Sequence, residues 1–232
     1  IINEELTVDD SLFLYHDVCT NGIGYVDLMF KTDSIAPEQI PYLGLLKSVL
    51  GYVDTENYTY GELFNEINAN TGGINCGVEV FDRADSTEEF QAMFSVRGKA
   101  LYTKMDFLFK MIGEILNSSK LEDTKRLYEI VASVKSRAQV NLTGAGHSTA
   151  VLRAAAYSSP MAAFQDEMAG IGYYQFIEKL EKDFEQRKEE TVEELCKLMK
   201  KILRPENFMI SYTGERESLE TVQKLAGAVK AG

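Results

Sequence analysis

Apolar and polar residues alternate in two blocks of the chain, and this period of two is typical of β-strands. The first block contains a strand within LFLYHDVC and a second strand after it, and a turn at residues 20–24 is predicted to join them. The second strand has the pattern of a half-buried antiparallel strand, with apolar positions Val26, Leu28 and Phe30. The other block predicts two strands, at about residues 74–82 and 88–100.

Between these blocks, apolar residues three and four positions apart predict a pair of helices. Pro37 stands near the first turn of the first helix. The apolar face of this helix is formed by Leu43, Leu46, Leu50 and Val53. The second helix begins at a capping box, Thr59 to Glu62, and ends at Gly72 and Gly73. Its predicted buried residues are Leu63, Phe64 and Ile67.

A helical period begins at Tyr102 and continues for about a hundred residues. Clusters of Ser, Gly and Pro interrupt it, at residues 118–119, 144–146, 158–160 and 170–172. Helix starts are predicted at a second capping box, Ser119 to Glu122, and at Ser159, which Pro160 follows. A strand and a helix complete the chain, at about residues 208–212 and 215–229.

These elements predict an α+β fold with one mainly antiparallel sheet of about five to six strands covered by helices. A doubly wound fold is disfavoured, because strands and helices do not alternate regularly. No repeat or linker-like composition divides the sequence, so residues 1–232 are predicted to form a single domain. The sequence begins at Ile1 with no signal peptide, and we expect it to be a segment of a longer chain.

Composition and charge narrow the possible partners. Hydrophobic residues make up 45% and charged residues 26% of the chain, which is ordinary for a globular protein. No apolar run approaches the roughly 20 residues of a membrane span, so no membrane partner is expected. The formal net charge of −12 argues against nucleic acid, since binding to phosphate needs clustered Lys and Arg.

The cysteines indicate a reducing compartment. Cys19, Cys76 and Cys196 lie far apart, are odd in number and form no CxxC pair, which argues against a disulfide framework. We therefore expect the cytoplasm of a bacterial-type cell or an organelle matrix.

The two histidines give little support to a metal or nucleophilic site. His16 and Cys19 are three residues apart on a strand, and such residues point to opposite faces. His147 precedes Ser148 near a helix start, but sequence neighbours seldom converge as a catalytic dyad requires. Both histidines are therefore interpreted as structural or surface residues.

The carboxylates and tyrosines around the first two helices allow two interpretations each. Glu62 and Glu66 share a helix face, where a capping residue beside an exposed one is favoured over an acid/base pair. Four tyrosines form either a packed boundary, which is favoured, or a peptide-binding wall. They are Tyr42, Tyr52, Tyr58 and Tyr60.

Extended stretches of the sequence carry a family resemblance. They are NGIGYVDLMF, IPYLGLLKSVL, YTYGELFNEINANTGGI and AGHSTAVLRAAAYSSPMAAFQDEMAGIGYYQFIEKL. With the order of elements, they resemble the pitrilysin/insulinase family of zinc metallopeptidases, and within it the third of four domains in the presequence-protease branch. The similarity covers essentially the whole chain.

The resemblance also shows what this chain lacks. The family's first domain binds zinc through a His-x-x-Glu-His motif on its first helix, and the glutamate activates water. The corresponding residues here are Leu43, Leu46 and Lys47, or, one residue earlier, Tyr42, Leu45 and Leu46. None of them can bind zinc. No catalytic or metal-binding residue and no cofactor is therefore expected in this segment, and zinc is expected in the first domain of the parent enzyme.

A second family feature is also missing. The last domain of the family adds an arginine and a tyrosine from a Gly-Gly stretch to the active site. Arg153 and Tyr157 are similarly placed relative to each other, but they lack this glycine context.

The resemblance implies a clamshell-shaped peptidase whose two halves enclose unfolded peptides. This chain would be a non-catalytic part of the second half, with the other domains and unfolded peptides as its partners. Its negative charge would attract basic peptides if it lay on an inner wall. An alternative is a stand-alone or partner subunit that serves in assembly or peptide presentation without catalysis. A third hypothesis, that the isolated segment is itself a hydrolase, is not favoured.

Overall fold

The computed structural model describes residues 2–82 and 89–231, which form one sheet with helices packed against it. The strands are β1 (Ile2–Val8), β2 (Ser11–Asp17), β3 (Ile23–Lys31), β4 (Ile74–Asp82), β5 (Phe90–Leu101) and β6 (Phe208–Gly214). Across the sheet their order is β1-β2-β6-β3-β5-β4. Among these strands β2 and β6 pair in parallel, and the other neighbouring pairs are antiparallel. The predicted α+β fold with one mainly antiparallel sheet is confirmed.

The N-terminal strand pairing differs from the prediction. β1 has no counterpart among the predicted strands, and it pairs with β2 through a tight turn at Asp9 and Asp10. The φ values of these two residues, 45° and 64°, suit a two-residue hairpin turn. The predicted turn at residues 20–24 connects β2 to β3, but these two strands do not pair as a hairpin, because β6 lies between them and bonds with both.

The helices follow the predicted order closely. α1 (Ile40–Val49) and α2 (Tyr60–Asn70) separate β3 from β4. Between β5 and β6 lie α3 (Met105–Ser118), α4 (Thr124–Gly144), α5 (Gly146–Ala155), α6 (Pro160–Ala169), α7 (Ile171–Lys182) and α8 (Phe184–Ile202), and α9 (Leu219–Ala231) follows β6. The predicted breaks all coincide with helix ends. In the described ranges no helix is both long and apolar enough to span a bilayer.

Two predicted helix caps are present in the structure. Thr59 N donates to Glu62 Oε2 at 2.9 Å and Thr59 Oγ1 accepts from Glu62 N at 3.3 Å, which completes the capping box of α2. Glu62 is therefore a capping residue, as the favoured interpretation had it. At the start of α6, Ser159 Oγ accepts from Ala162 N at 3.3 Å.

The capping box predicted at Ser119 to Glu122 is wrong. The N-cap of α4 is Asp123, whose Oδ1 accepts from Arg126 N at 3.0 Å. Ser119 instead donates from Oγ to the Ile115 carbonyl in the last turn of α3. The serine therefore belongs to the end of one helix and the aspartate to the start of the next.

The four residues of the predicted apolar face are buried, but burial extends beyond them to nearly every side of α1. It lies between the sheet and α4, α6, α7 and α8. Seven of its ten residues are buried: Pro41, Tyr42, Leu43, Gly44, Leu45, Leu46 and Val49. Leu50 and Val53 are also buried, although they lie beyond the end of the helix.

On α2, two of the three residues predicted to be buried are buried, namely Leu63 and Ile67. The third, Phe64, is 58% exposed, so the prediction is wrong for this residue.

α1 approaches its neighbours most closely at Gly44. A Cβ atom at this position would lie 2.5 Å from the Met168 carbonyl oxygen and 2.8 Å from the ring of Tyr173. Both distances are shorter than van der Waals contact, so a glycine is needed for α1 to meet the end of α6 and the start of α7 here.

We expect Gly44→Ala to lower the free energy of unfolding by about 2 kcal/mol, because the added methyl group overpacks this contact. Gly113→Ala is the matched control, since Gly113 also lies inside a helix but has open space around its Cβ position. That variant should gain up to about 1 kcal/mol from helix propensity. Urea unfolding of both variants measures the difference, and a Gly44→Ala protein as stable as the control would contradict the packing described here.

Candidate functional site

One side of the sheet packs against the helices, and the opposite side, which we call the open face, carries exposed polar side chains. Along β3 and β5 the residues alternate between the two sides. Val26 and Val96 point into the core, whereas Tyr25, Arg97 and Lys99 are exposed on the open face. The alternation is not complete, because Met93 and Ser95 lie on the open-face side of β5 and are nevertheless buried.

An ion cluster lies on the open face where β3, β5 and β4 run side by side. The strand register places Asp27 directly opposite Arg97. Arg97 Nε donates to Asp27 Oδ2 at 2.7 Å, and Arg97 Nη1 lies 3.2 Å from Glu79 Oε1. The other carboxylate oxygen, Asp27 Oδ1, is buried and has no hydrogen-bond partner among the described residues.

Burial and ion pairing change the pKa of the Asp27 carboxyl group in opposite directions. Burial raises the pKa of its carboxyl group above the ordinary value, and the hydrogen bond from Arg97 opposes that rise. The same hydrogen bond raises the pKa of the Arg97 guanidinium. The ionised carboxylate therefore depends on Arg97, and its second oxygen, although buried, retains an unused capacity to accept a hydrogen bond.

A depression of about 470 Å³ lies beside the ion cluster. Tyr25 and Lys99 form one wall, and Lys99 Nζ is 5.9 Å from the centroid of the Tyr25 ring. Gly72, next to this wall, donates from N to the Lys99 carbonyl at 2.7 Å. A Cβ atom at Gly72 would lie 2.6 Å from the Lys99 side chain, so the glycine lets the lysine stem lie against the backbone. The depression thus combines an aromatic ring, an ammonium group and polar strand residues, which suits a polar, extended ligand.

The open face is not acidic. Three acidic and three basic side chains lie on it in the described strands: Glu5, Asp27, Glu79, Lys31, Arg97 and Lys99. These charges cancel, so the net charge of −12 resides elsewhere in the chain. The hypothesis that negative charge attracts basic peptides gains no support from this face.

His16 is held within the sheet. Its Nδ1 lies 2.8 Å from Asn3 Oδ1 on β1, and its Nε2 lies 3.1 Å from Ser211 Oγ on β6. Both ring nitrogens therefore have partners in neighbouring strands. Cys19 lies past the end of β2, where its Sγ contacts the Asn21 side chain.

The positions that correspond to the family's zinc motif do not fit a metal. Leu43, Leu45 and Leu46 are fully buried, and the Tyr42 hydroxyl accepts from Arg187 Nη2 at 3.0 Å. Lys47 follows them as a half-buried cation. Within residues 2–82 and 89–231, no three His, Cys, Asp or Glu side chains form a group that could hold a metal ion.

Arg153 and Tyr157 lie in the helical layer, and the arginine has a structural partner. Arg153 Nη1 donates to Asp166 Oδ2 at 2.5 Å. Asp166 is buried and also accepts from the N–H groups of Ile171 and Gly172 at 3.0 and 3.1 Å. Arg153 therefore helps to fix the junction of α6 and α7, while Tyr157 is 84% exposed.

The remaining residues considered from the sequence do not form a site. His147 and Ser148 are both exposed at the start of α5. All three cysteines are free. Burial raises the pKa of Cys76 to about 12, so this thiol stays protonated. Of the four tyrosines, Tyr42 is buried, whereas Tyr52 and Tyr60 are exposed, and the Tyr60 ring centroid lies 3.8 Å from Arg126 Cζ.

Neither Asp27 nor Arg97 stands out in the sequence as a site residue. The available signal is a charged residue inside an apolar strand, GYVDLMF. Its partner is 70 residues further along the chain, and the pairing depends on the register of β3 with β5.

Comparison with known proteins gives concordant results. A family model described as associated with peptidases of family M16, subfamily C, matches residues 1–180. Protein HypA of Clostridium perfringens is 34% identical over 224 residues, which are 97% of this chain and 23% of that protein. Presequence protease 1, chloroplastic/mitochondrial, of Arabidopsis thaliana is 26% identical over 91% of this chain and 19% of its own length. The chain thus spans about a fifth of the length of these curated relatives.

A solved structure shares the fold. The crystal structure of a peptidase M16 inactive domain from Pseudomonas fluorescens superposes with a TM-score of 0.64 at 14% identity. The match covers 100% of this chain and 50% of that one.

We expect Arg97→Met to raise the pKa of Asp27 by about one to three pH units, because burial then acts without the opposing hydrogen bond. The folded pKa would lie further above the unfolded value of about 4. The variant should therefore lose more stability than the wild type as the pH rises through that folded pKa. NMR titration of the Asp27 carboxyl measures the shift. Lys99→Met, on the same face, should leave the Asp27 pKa nearly unchanged, and an equal response to both substitutions would contradict the assignment.

Proposed function

Because this chain belongs to the family associated with subfamily C of the M16 peptidases, we propose that it is a non-catalytic domain of a longer, zinc-dependent peptidase that degrades unfolded peptides. Residues 1–232 would form the third of four domains and contribute to the second half of a clamshell-shaped chamber. The other domains of the same polypeptide would then be its permanent partners, and unfolded peptides its transient ones.

The relationship to known peptidases supports this proposal. The resemblance to the presequence-protease branch of the pitrilysin/insulinase peptidases is confirmed by the family match and by the relatives named presequence protease. In the Arabidopsis relative, the aligned region occupies 19% of the protein, which leaves ample length for three further domains.

We assign the open face to the wall of the chamber. One observation carries this assignment: helices cover one side of the sheet, while the other side presents the ion cluster and the 470 Å³ depression. A peptide crossing the depression would stack on the Tyr25 ring and place acceptor groups near the Lys99 ammonium. Asp27 Oδ1 is buried, so neighbouring side chains would have to move aside before a ligand could reach it. A backbone N–H of the same peptide could then donate to this oxygen. The wall would also confine substrates by size.

Catalysis would take place in another domain of the parent protein. Zinc, bound there, would activate water for attack on the peptide bond. The residues of this chain that correspond to the motif are leucines, a tyrosine and a lysine, and they supply neither a metal ligand nor a general base. The role of the leucines and the tyrosine is to hold the fold, and the role of the open face is to bind and orient peptide.

We further propose that the protein works in a bacterial-type cytoplasm or an organelle matrix. The Arabidopsis relative is named for the chloroplast and the mitochondrion. The three free cysteines are consistent with a reducing compartment.

Site-specific crosslinking in the longer parent protein tests the position of the open face. A photoreactive phenylalanine analogue replaces Tyr25 on the open face or Tyr128 on α4, and these two side chains are matched at 42% and 43% exposure. With an unfolded peptide substrate, we expect crosslinks from position 25 at several times the yield from position 128. Competing unlabelled peptide should abolish the crosslinks at position 25.

Equal yields at the two positions would contradict the assignment of the open face. Crosslinks at position 25 in a parent protein that shows no zinc-dependent peptide cleavage would favour the alternative, a subunit that presents peptide without catalysis. Metal-dependent cleavage by the isolated 232-residue chain would overturn the non-catalytic role itself.

A further inference from the structure

A second cavity, of about 240 Å³, lies in the helical layer where α1, α4, α5 and the α6–α7 junction meet. We call it the helical pocket. Its polar lining consists of Lys47, Ser48, Arg137, Asn141, Thr149 and Tyr173. It has no part in the proposed function of the open face.

The hydroxyl group of Tyr173 is the unexplained group in this pocket. Tyr173 is 5% exposed, and its hydroxyl is buried without a hydrogen-bond partner among the described residues. Ser48 lies beside it and donates to the Gly44 carbonyl at 3.4 Å, but the phenol has no acceptor within hydrogen-bond distance among the described residues. Buried donors in folded proteins nearly always have an acceptor, and here the acceptor is missing.

The phenol of Tyr173 is available as a donor. Burial raises its pKa, and the neighbouring Ser48 hydroxyl and Arg137 guanidinium oppose that rise only in part. The group therefore stays protonated, and a protonated phenol donates one hydrogen bond.

Two cations without counter-ions line the same pocket. Lys47 and Arg137 make no salt bridge or side-chain hydrogen bond within the described part of the chain, and no Asp or Glu lines the pocket. This is unusual in a chain that contains 36 acidic and 24 basic residues. Burial lowers the pKa of Lys47, since no nearby anion stabilises its charge.

From this geometry we propose that the helical pocket binds a single oxyanion, either a carboxylate or a phosphate group. Lys47 supplies an ammonium group and Tyr173 a neutral hydroxyl donor from inside the pocket. Arg137 stands at the exposed rim, where its guanidinium can pair with two oxygens of the anion. The anion accepts the hydrogen bond of Tyr173 and pairs with both cations. It can arrive as a free ion or as an acidic side chain of another polypeptide segment.

Titration of the purified protein with inorganic phosphate, sodium acetate and sodium chloride at constant ionic strength tests this proposal. We expect saturable binding of phosphate or acetate, measured by calorimetry and by NMR shifts confined to the pocket, and no saturable binding of chloride. Binding should also raise the melting temperature. If phosphate binds and acetate does not, the ligand is a free phosphate. If acetate binds, a carboxylate group is sufficient as the ligand.

Substitutions test whether the anion binds in the helical pocket or elsewhere on the surface. Lys47→Met and Arg137→Gln should each weaken binding about tenfold, the effect of losing one hydrogen bond to a charged group. Lys179→Met is the matched control, because Lys179 is exposed on α7 outside the pocket, and it should bind as the wild type does.

Tyr173→Phe gives the sharpest result, because the hydroxyl it removes has no partner in the described part of the protein. In chloride the variant should melt no lower than the wild type, yet bind the anion several-fold more weakly. The proposal is overturned if neither phosphate nor acetate binds, if chloride competes equally, or if the pocket variants bind as tightly as Lys179→Met.

Discussion

The burial of α1 is the constraint on which the rest of this fold depends. The helix lies between the sheet and four other helices, and Leu43, Leu45 and Leu46 have no exposed surface. Each such side chain contributes about 1.5–3 kcal/mol through burial. A polar metal ligand at one of these positions would forfeit that contribution and would need a buried partner. The leucines at the positions of the zinc motif are therefore residues that hold the layers together.

Local features of the sequence predicted most of the helical layer. The capping box at Thr59, the Ser159–Pro160 start and the glycine pairs all act within one helical turn, so the sequence alone contains the necessary information. The prediction of Ser119 as the N-cap of α4 is wrong because two possible cap residues, Ser119 and Asp123, lie close together. Asp123 offers a carboxylate acceptor to the first turn of α4, and Ser119 is occupied at the end of α3. A capping pattern shows that a helix begins nearby, but the competition between caps is decided by the fold.

Strand order and the polar sites could not be predicted in the same way. β6 enters the sheet between β2 and β3 from the far end of the chain, and its apolar alternation does not reveal its neighbours. The pairing of Asp27 with Arg97 depends on this same long-range register. The missing partner of Tyr173 is still harder to anticipate, because a sequence shows donors and acceptors but not which of them fail to meet.

The packing of α1 also explains how a tightly packed layer comes to contain an unsatisfied hydroxyl. Gly44 brings the Tyr173 ring against α1, and one helical turn later Lys47 and Ser48 reach the edge of the buried region. A phenylalanine at position 173 would make the same ring contact without the unpaired donor, whose burial costs about 1–3 kcal/mol. The phenol is therefore unfavourable for the empty pocket and becomes favourable once an acceptor is present. Packing requires the ring at this position, and the hydroxyl, together with two cations that have no counter-ion among the described residues, is what the proposed anion would satisfy.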